Sequence, residues 1–144
     1  MTDIQAVVDQ QQISDVLTRY VLSQDAHDWV TYAACFTPDA VFAHPGGQID
    51  GAEGIVARAR RALEPLTASQ HLLGSILVVV DGDTATSTSY FHAQHVRTGA
   101  PGGDLYVIAG TYRDRLARTP DGWRISRRDQ DYLWRSGNPA VIIR

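Results

Sequence analysis

The hydrophobic pattern of this chain changes period near residue 68, and that change limits the folds open to it. Before it, apolar residues recur at helical spacing. Ile13, Val16, Leu17, Tyr20 and Val21 follow the i, i+3, i+4, i+7, i+8 rule of an amphipathic helix. With Ile4, Val7 and Val8 upstream, the spacing predicts a first helix over about residues 4–24. Trp29, Tyr32, Ala33 and Phe36 repeat the pattern for a short second helix, with Asp28 as its N-cap and Pro38 as its end. Ala40 to His44 reads as a short strand stopped by Pro45-Gly46-Gly47. Asp50 then caps a third helix, whose apolar face is Ile55, Ala59, Ala62, Leu63 and Leu66 and whose end is Pro65.

Beyond residue 68 the pattern is that of strands. Residues 70–80 form a long apolar strand, interrupted only at Gly74-Ser75. Asp81-Gly82-Asp83 is a hairpin signal, and the partner over 84–96 is rich in Thr, Ser and aromatics. A Gly-Pro loop at 98–103 leads to a strand over 104–118. A turn at Thr119-Pro120-Asp121-Gly122 leads to the last strand, 123–134. Helices first and strands after them argue for an α+β fold. To bury both, a curved, mixed or antiparallel sheet must wrap around the three N-terminal helices. The result is a cone with an internal pocket, in one domain spanning residues 1–144.

Composition narrows the partners. The chain is 44% hydrophobic and 20% charged, with a net charge of -3. Nucleic-acid binding needs a basic face, so nucleic acid is not expected. No window approaches the roughly 20 apolar residues of a membrane span, and Asp3, Gln5 and Asp9 interrupt any signal peptide. Cys35 is the one cysteine; it falls on a helical apolar pattern and reads as a buried thiol in a cytoplasmic, reducing compartment. The apolar residues Val78, Val80, Tyr106 and Ile108 suggest a partly apolar outer sheet face, and with it a homodimer, or else a trimer.

Several titratable residues stand where buried ones are expected. Asp25 follows Val21 by four residues and Leu22 by three, so it continues the apolar edge of the first helix. It either caps a helix end or needs a buried partner. His71 opens the long strand, as a strand-end residue or as that partner. His92 and His95 lie on the next strand. A three-residue hairpin turn puts His95 on the side of His71, and a two-residue turn puts His92 there. On the last strand Arg124, Ser126 and Arg128 alternate with Trp123, Ile125 and Arg127, so one of the two sets should face inward. Tyr20 and Tyr32 read as core residues with one polar end. His44, His71, His92 and His95 lack the spacing of a metal site, and no phosphate loop or nucleophile elbow is present, so neither a metal nor a cofactor is expected.

Taken together, Tyr20, Asp25, Asp28-Trp29, Phe36, Asp39-Ala40, Gly51, Ile55, His71, Asp81-Gly82-Asp83, Gly110, Tyr112, Asp114, Asp121-Gly122-Trp123-Arg124 and Trp134 form a recognisable series. The chain resembles the SnoaL-like domains of the nuclear-transport-factor-like superfamily over nearly its whole length. Within that superfamily it is similar to three lyases: scytalone dehydratase, bile acid 7α-dehydratase and hexachlorocyclohexane dehydrochlorinase. The resemblance implies a catalytic dyad of Asp25 and His71. It places a functional tyrosine at Tyr20, a last-strand arginine at Arg128 and a second histidine at His95, which selects His95 over His92. A pocket tyrosine of scytalone dehydratase falls on His44, and its second tyrosine falls on Gln24. Its asparagine has no counterpart near Gly110, Thr111 and Tyr112.

The expectation is therefore a cofactor-independent lyase or proton-transfer isomerase acting on a small hydrophobic, ring-containing molecule. His71 is the general base, Asp25 orients it, and Tyr20, His95 and Arg128 polarise the oxyanion or leaving group. Trp29, Tyr32, Phe36 and His44 line the pocket. The alternatives are a ligand-binding or accessory domain without catalysis, or a polyketide-cyclase-like enzyme.

Overall fold

The computed structural model describes residues 3–143. In chain order the elements are α1 (Ile4–Asp25), α2 (Trp29–Ala34), β1 (Phe36–His44), β2 (Gly47–Asp50), α3 (Ala52–Leu63), β3 (Ala68–Asp81), β4 (Thr84–Val96), β5 (Leu105–Thr119) and β6 (Gly122–Gly137), with a closing 3-10 turn at Pro139–Val141. The strands form one sheet in the order β2-β1-β6-β5-β4-β3. β1 runs parallel to β6 and every other pair is antiparallel. The fold is α+β, a mixed open sheet around three helices, in agreement with the pattern of the sequence.

α1 buries Ile13, Val16, Leu17, Tyr20 and Val21, while Ile4, Val7 and Val8 lengthen the helix but stay exposed. Its N-terminal half is fixed by a polar contact instead. Buried Asp9 takes two hydrogen bonds from Arg118, at 2.8 and 2.9 Å, and one from Trp123 Nε1 at 3.2 Å. Those bonds, Arg118 first, hold the Asp9 carboxyl well below the usual carboxylate range against the opposing effect of burial. Asp28 caps α2, accepting from the Thr31 N–H at 3.1 Å and the Thr31 hydroxyl at 2.6 Å.

Local boundaries differ from the sequence reading in three places. α2 stops at Ala34, and Phe36 begins β1 rather than ending the helix. Pro38 lies inside β1, in the stretch between Phe36 and Val41 where the ladder to β6 is interrupted, so its missing N–H breaks no bond. Asp50 ends β2, a short strand with too little apolar content to stand out, and Gly51, at φ 91°, is the N-cap of α3.

The register of the long strands carries the larger corrections. The β3–β4 turn has two residues, since Asp81 pairs with Thr84, yet His71 still pairs with Ala93. An extra residue in β3 between Gly74 and Leu77 reconciles the two, with Ser75 at φ 52°. His71 and His95 therefore share the inner face and His92 is exposed. β6 does the same near Ser126: Leu116 pairs with Ile125, but Arg115 pairs with Arg127. Trp123, Ile125 and Arg128 are all buried, so neither of the two alternating sets faces inward as a whole. A further shift follows at Gly110, where an added Cβ would lie 1.9 Å from the Asp131 carbonyl oxygen.

These shifts also redraw the outer face. Tyr106 and Ile108 are buried, and Val78 and Val80 pack against the core, so the four residues expected outside lie inside. Leu72, Leu77, Val79, Tyr90, Leu133 and Trp134 are exposed in their place. A shallow cavity of about 430 Å³ opens among Leu72, Tyr90, Leu133 and Trp134, beside His92 and Ala109. Among the described residues no helix is long and apolar enough to cross a membrane.

Candidate active site

The end of α1 and the start of β3 meet inside the cone. Asp25 Oδ1 lies 2.6 Å from His71 Nδ1. Its other oxygen accepts from the His71 backbone N–H at 2.8 Å, and the Ser69 hydroxyl donates to Oδ1 at 3.0 Å. Asp25 thus makes three hydrogen bonds to the first strand residues and none as a helix cap. The carboxylate accepts at Nδ1, so the neutral imidazole carries its proton there and presents a lone pair at Nε2. His71 is 7% exposed. Gln24 Nε2 lies 2.8 Å from His71 Nε2.

His95 stands perpendicular to His71, with ring centres 5.8 Å apart. Its Nδ1 lies 3.1 Å from the Tyr106 carbonyl oxygen, so Nδ1 is the donor and Nε2 is an acceptor in the neutral ring. Burial, helped by the neighbouring His71, pushes His95 down to about 4, against the Tyr106 hydrogen bond and the Asp25 charge. At neutral pH His95 is therefore uncharged, with its Nδ1–H on the Tyr106 carbonyl and Nε2 as an acceptor.

One turn before Gln24, Tyr20 begins a second cluster. Arg128 lies between two aromatic rings, 4.1 Å from the Tyr20 centroid and 3.8 Å from that of Tyr112. Asp114 binds it through Nε at 2.7 Å and Nη2 at 2.8 Å, and both side chains are fully buried. Burial, the largest single effect, would lower the Arg128 value, but the charge and hydrogen bonds of Asp114 together with Tyr20 and Tyr112 outweigh it and the guanidinium stays protonated. Arg128 Nη1 has no hydrogen-bond partner among the described residues. The Tyr32 hydroxyl donates to the Tyr20 hydroxyl at 3.5 Å, which leaves the Tyr20 proton available to another acceptor. Burial raises Tyr32 and Tyr112 well above the ordinary tyrosine value, so both stay protonated.

Residues 5–129 match the SnoaL-like domain. The chain belongs to the SnoaL-like family. Uncharacterized proteins of Mycobacterium tuberculosis and Mycobacterium bovis are 32% identical to it over 130 residues, covering 89% of this chain and 88% of theirs. The fold is shared with the Kfla4162 protein of Kribbella flavida, at TM-score 0.88 and 20% identity over 94% of this chain and 98% of that one. It is shared also with a hexachlorocyclohexane dehydrochlorinase, LinA Type2, at TM-score 0.84 and 17% identity over 99% and 97% of the two chains.

The other residues expected to line a pocket divide. Phe36 is buried against Tyr20 and Tyr32, with ring centres 5.8 and 5.5 Å away, and belongs to the inner aromatic wall. Trp29 is at its margin: it meets Tyr32 edge-on, and its Nε1 donates to Glu64 at 2.9 Å. His44 is not brought to the dyad. It caps its own turn, accepting from the Gly46 N–H at 3.1 Å, and lies beside Phe42. Burial first, and Arg58 next, lower its value. Cys35 is buried, and burial pushes its thiol up to about 11, so it is not a nucleophile.

Four site residues carry no role in the sequence reading: Gln24, Ser69, Tyr112 and Asp114. Asp114 had the clearest signal, since Tyr112-x-Asp114 sits in the motif series and a buried arginine demands an acid. Gln24 and Ser69 sit beside Asp25 and His71 in the chain, but only the three-dimensional contact gives them meaning. Among the described residues no group of three or more His, Cys, Asp or Glu is placed to hold a metal.

Proposed function

We propose that this protein is a lyase or proton-transfer isomerase that works through its own side chains. The reading rests on one observation: a buried imidazole whose Nδ1 is held 2.6 Å from a carboxylate that itself has two further donors. That arrangement fixes the tautomer, orients the ring and leaves Nε2 as a base inside the fold. His71 Nε2 takes a proton from a carbon next to a carbonyl or a leaving group. The C–H electron pair becomes the new double bond. In an elimination the leaving group departs with its own bonding pair, and the imidazolium proton follows it. In an isomerisation the proton returns to another carbon. Tyr20 and the free Nη1 of Arg128 supply donors for charge that develops on oxygen. Tyr32, Phe36 and Trp29 offer an apolar wall to a small cyclic molecule. LinA Type2, a dehydrochlorinase on the same fold, supports elimination as the reaction class.

The test is turnover of cyclic β-hydroxy ketones and chlorinated cyclohexanes, followed by enone absorbance and chloride release. His71→Ala and Asp25→Asn should each lower turnover by about 10²-fold or more while the circular dichroism spectrum stays native. Full activity in a folded His71→Ala protein rules out the base.

A second reading draws on closure. Tyr20, Tyr32, Phe36, His71, His95 and Arg128 are all at most 7% exposed, as in a domain that stores a ligand without transforming it. Saturable binding of the same compounds with no product in either wild type or variants would favour that reading. The exposed Leu72, Tyr90, Leu133 and Trp134 further suggest a homodimer formed through the outer sheet face, which light scattering reads directly.

A further inference from the structure

The nitrogen that the proposed reaction needs is already occupied. Gln24 Nε2 lies 2.8 Å from His71 Nε2, and the Gln24 side chain is buried, with 6% of the residue exposed. Since His71 Nδ1–H is committed to Asp25, the Gln24 amide donates into the Nε2 lone pair. Gln24 Oε1 is buried too and has no hydrogen-bond partner among the described residues. An orphaned buried acceptor is costly, and a methionine of similar size would avoid that cost.

Protonation of His71 supplies the missing reason. Once Nε2 carries a proton, two donors face each other across 2.8 Å. A half-turn of the terminal amide exchanges them. That last torsion joins sp³ to sp² carbon and is broad and roughly two-fold, so the turn is easy. Oε1 then occupies the place of Nε2 and accepts from the imidazolium. A carboxamide is the neutral head that offers a donor and an acceptor at nearly the same position.

We infer that Gln24 is a positioning residue that, with no substrate on the ring, is bonded to His71 Nε2 in both protonation states, donating to the imidazole and accepting from the imidazolium by turning its amide. Its catalytic meaning rests on His71 being the base: Nε2 has one in-plane lone pair, so the amide must swing off it before the ring takes a substrate proton, and it can return as an acceptor once the imidazolium has formed. The titratable groups that face His71 are Asp25 from α1 and His95 from β4.

The experiment needs no substrate. Long-range proton–nitrogen spectra of the labelled full chain follow the His71 ring and the Gln24 amide from pH 8 to pH 4. Wild type should show the Nδ1–H tautomer when neutral, and the Gln24 amide protons should shift in step with the His71 titration. Hydrogen bonds to a charged group are about twice as strong as neutral ones, so the acceptor role outweighs the donor role. Gln24→Met removes both and should move the His71 midpoint down, by about tenfold in the protonation equilibrium. Gln24→Glu keeps only the acceptor and should move it up. A midpoint that rises in Gln24→Met marks a fixed donor and overturns the inference. So does an unchanged midpoint, or a Gln24 amide indifferent to the titration. The outcome is independent of turnover: an inactive protein whose His71→Ala variant binds the same compounds would refute the base, while the spectra would still report on Gln24.

Discussion

Asp114 holds Arg128 by two parallel hydrogen bonds, 2.7 and 2.8 Å long, with neither side chain exposed to solvent. Such a pair is costly to break from one side, because the partner left behind is an uncompensated buried charge. Asp114→Ala should therefore lose about 3–5 kcal/mol of unfolding free energy in urea titrations. The double variant Asp114→Leu/Arg128→Met removes both charges and should recover much of that loss. If Arg128 Nη1 also serves the reaction, the recovered stability will come without recovered turnover.

Asp25 and Asp28 are three residues apart and have separate tasks. Asp28→Ala removes the cap on Thr31 and should cost about 1 kcal/mol of stability with turnover unchanged. Asp25→Asn should do the reverse, sparing most of the fold and lowering turnover. Thermal melts and initial rates on the same two proteins separate the roles. Equal effects of the two variants on both readouts would contradict the division.

His95 gives the fold a pH dependence. In the folded chain it is held at about 4, below its ordinary 6.5, so between those values the unfolded chain binds the proton and the folded chain does not. Stability is then complete above about 6.5 and falls as the pH drops toward about 4, by roughly 3 kcal/mol for this one residue. His95→Gln should flatten the unfolding free energy across that window.

Asp9 acts in a lower window. Its folded-state carboxyl lies below the unfolded one, because Arg118 and Trp123 hydrogen-bond the charged form. Its contribution is present above the ordinary carboxylate value and is lost as the pH falls through and below it. Asp9→Asn should lower the melting temperature near neutrality and reduce the slope below about pH 4, leaving the His95 window unchanged.

Much of this was legible in the residues themselves. The change of period near residue 68 was enough for the order of helices and strands apart from β2, and Asp28 announced itself as the cap by position. The family resemblance named Asp25 and His71. Facing was harder. The two-residue β3–β4 turn, read with an unbroken strand, would put His92 inside; only the extra residue near Ser75 restores His95. Gly74-Ser75 was visible as an interruption, but a break in an apolar run does not say whether a residue is added. Ser126 carried no such mark, since a serine among arginines looks like any exposed strand residue. His44 was named only through the resemblance, which does not report the turn hydrogen bond that its Nδ1 accepts. Gln24 stayed silent because its partner is 47 residues away.

The extra residues near Ser75 and Ser126 also bear on how such a pocket can change over generations. A substitution replaces one lining group. One codon gained or lost within a strand trades every side chain beyond it for its neighbour from the opposite surface. His71 and Arg128 owe their place inside to two such extra residues, and removing either would turn the neighbouring side chain inward in its place. Lineages built on this scaffold can thus reach new chemistry in single steps of length, and relatives should be compared by strand length as well as by residue identity.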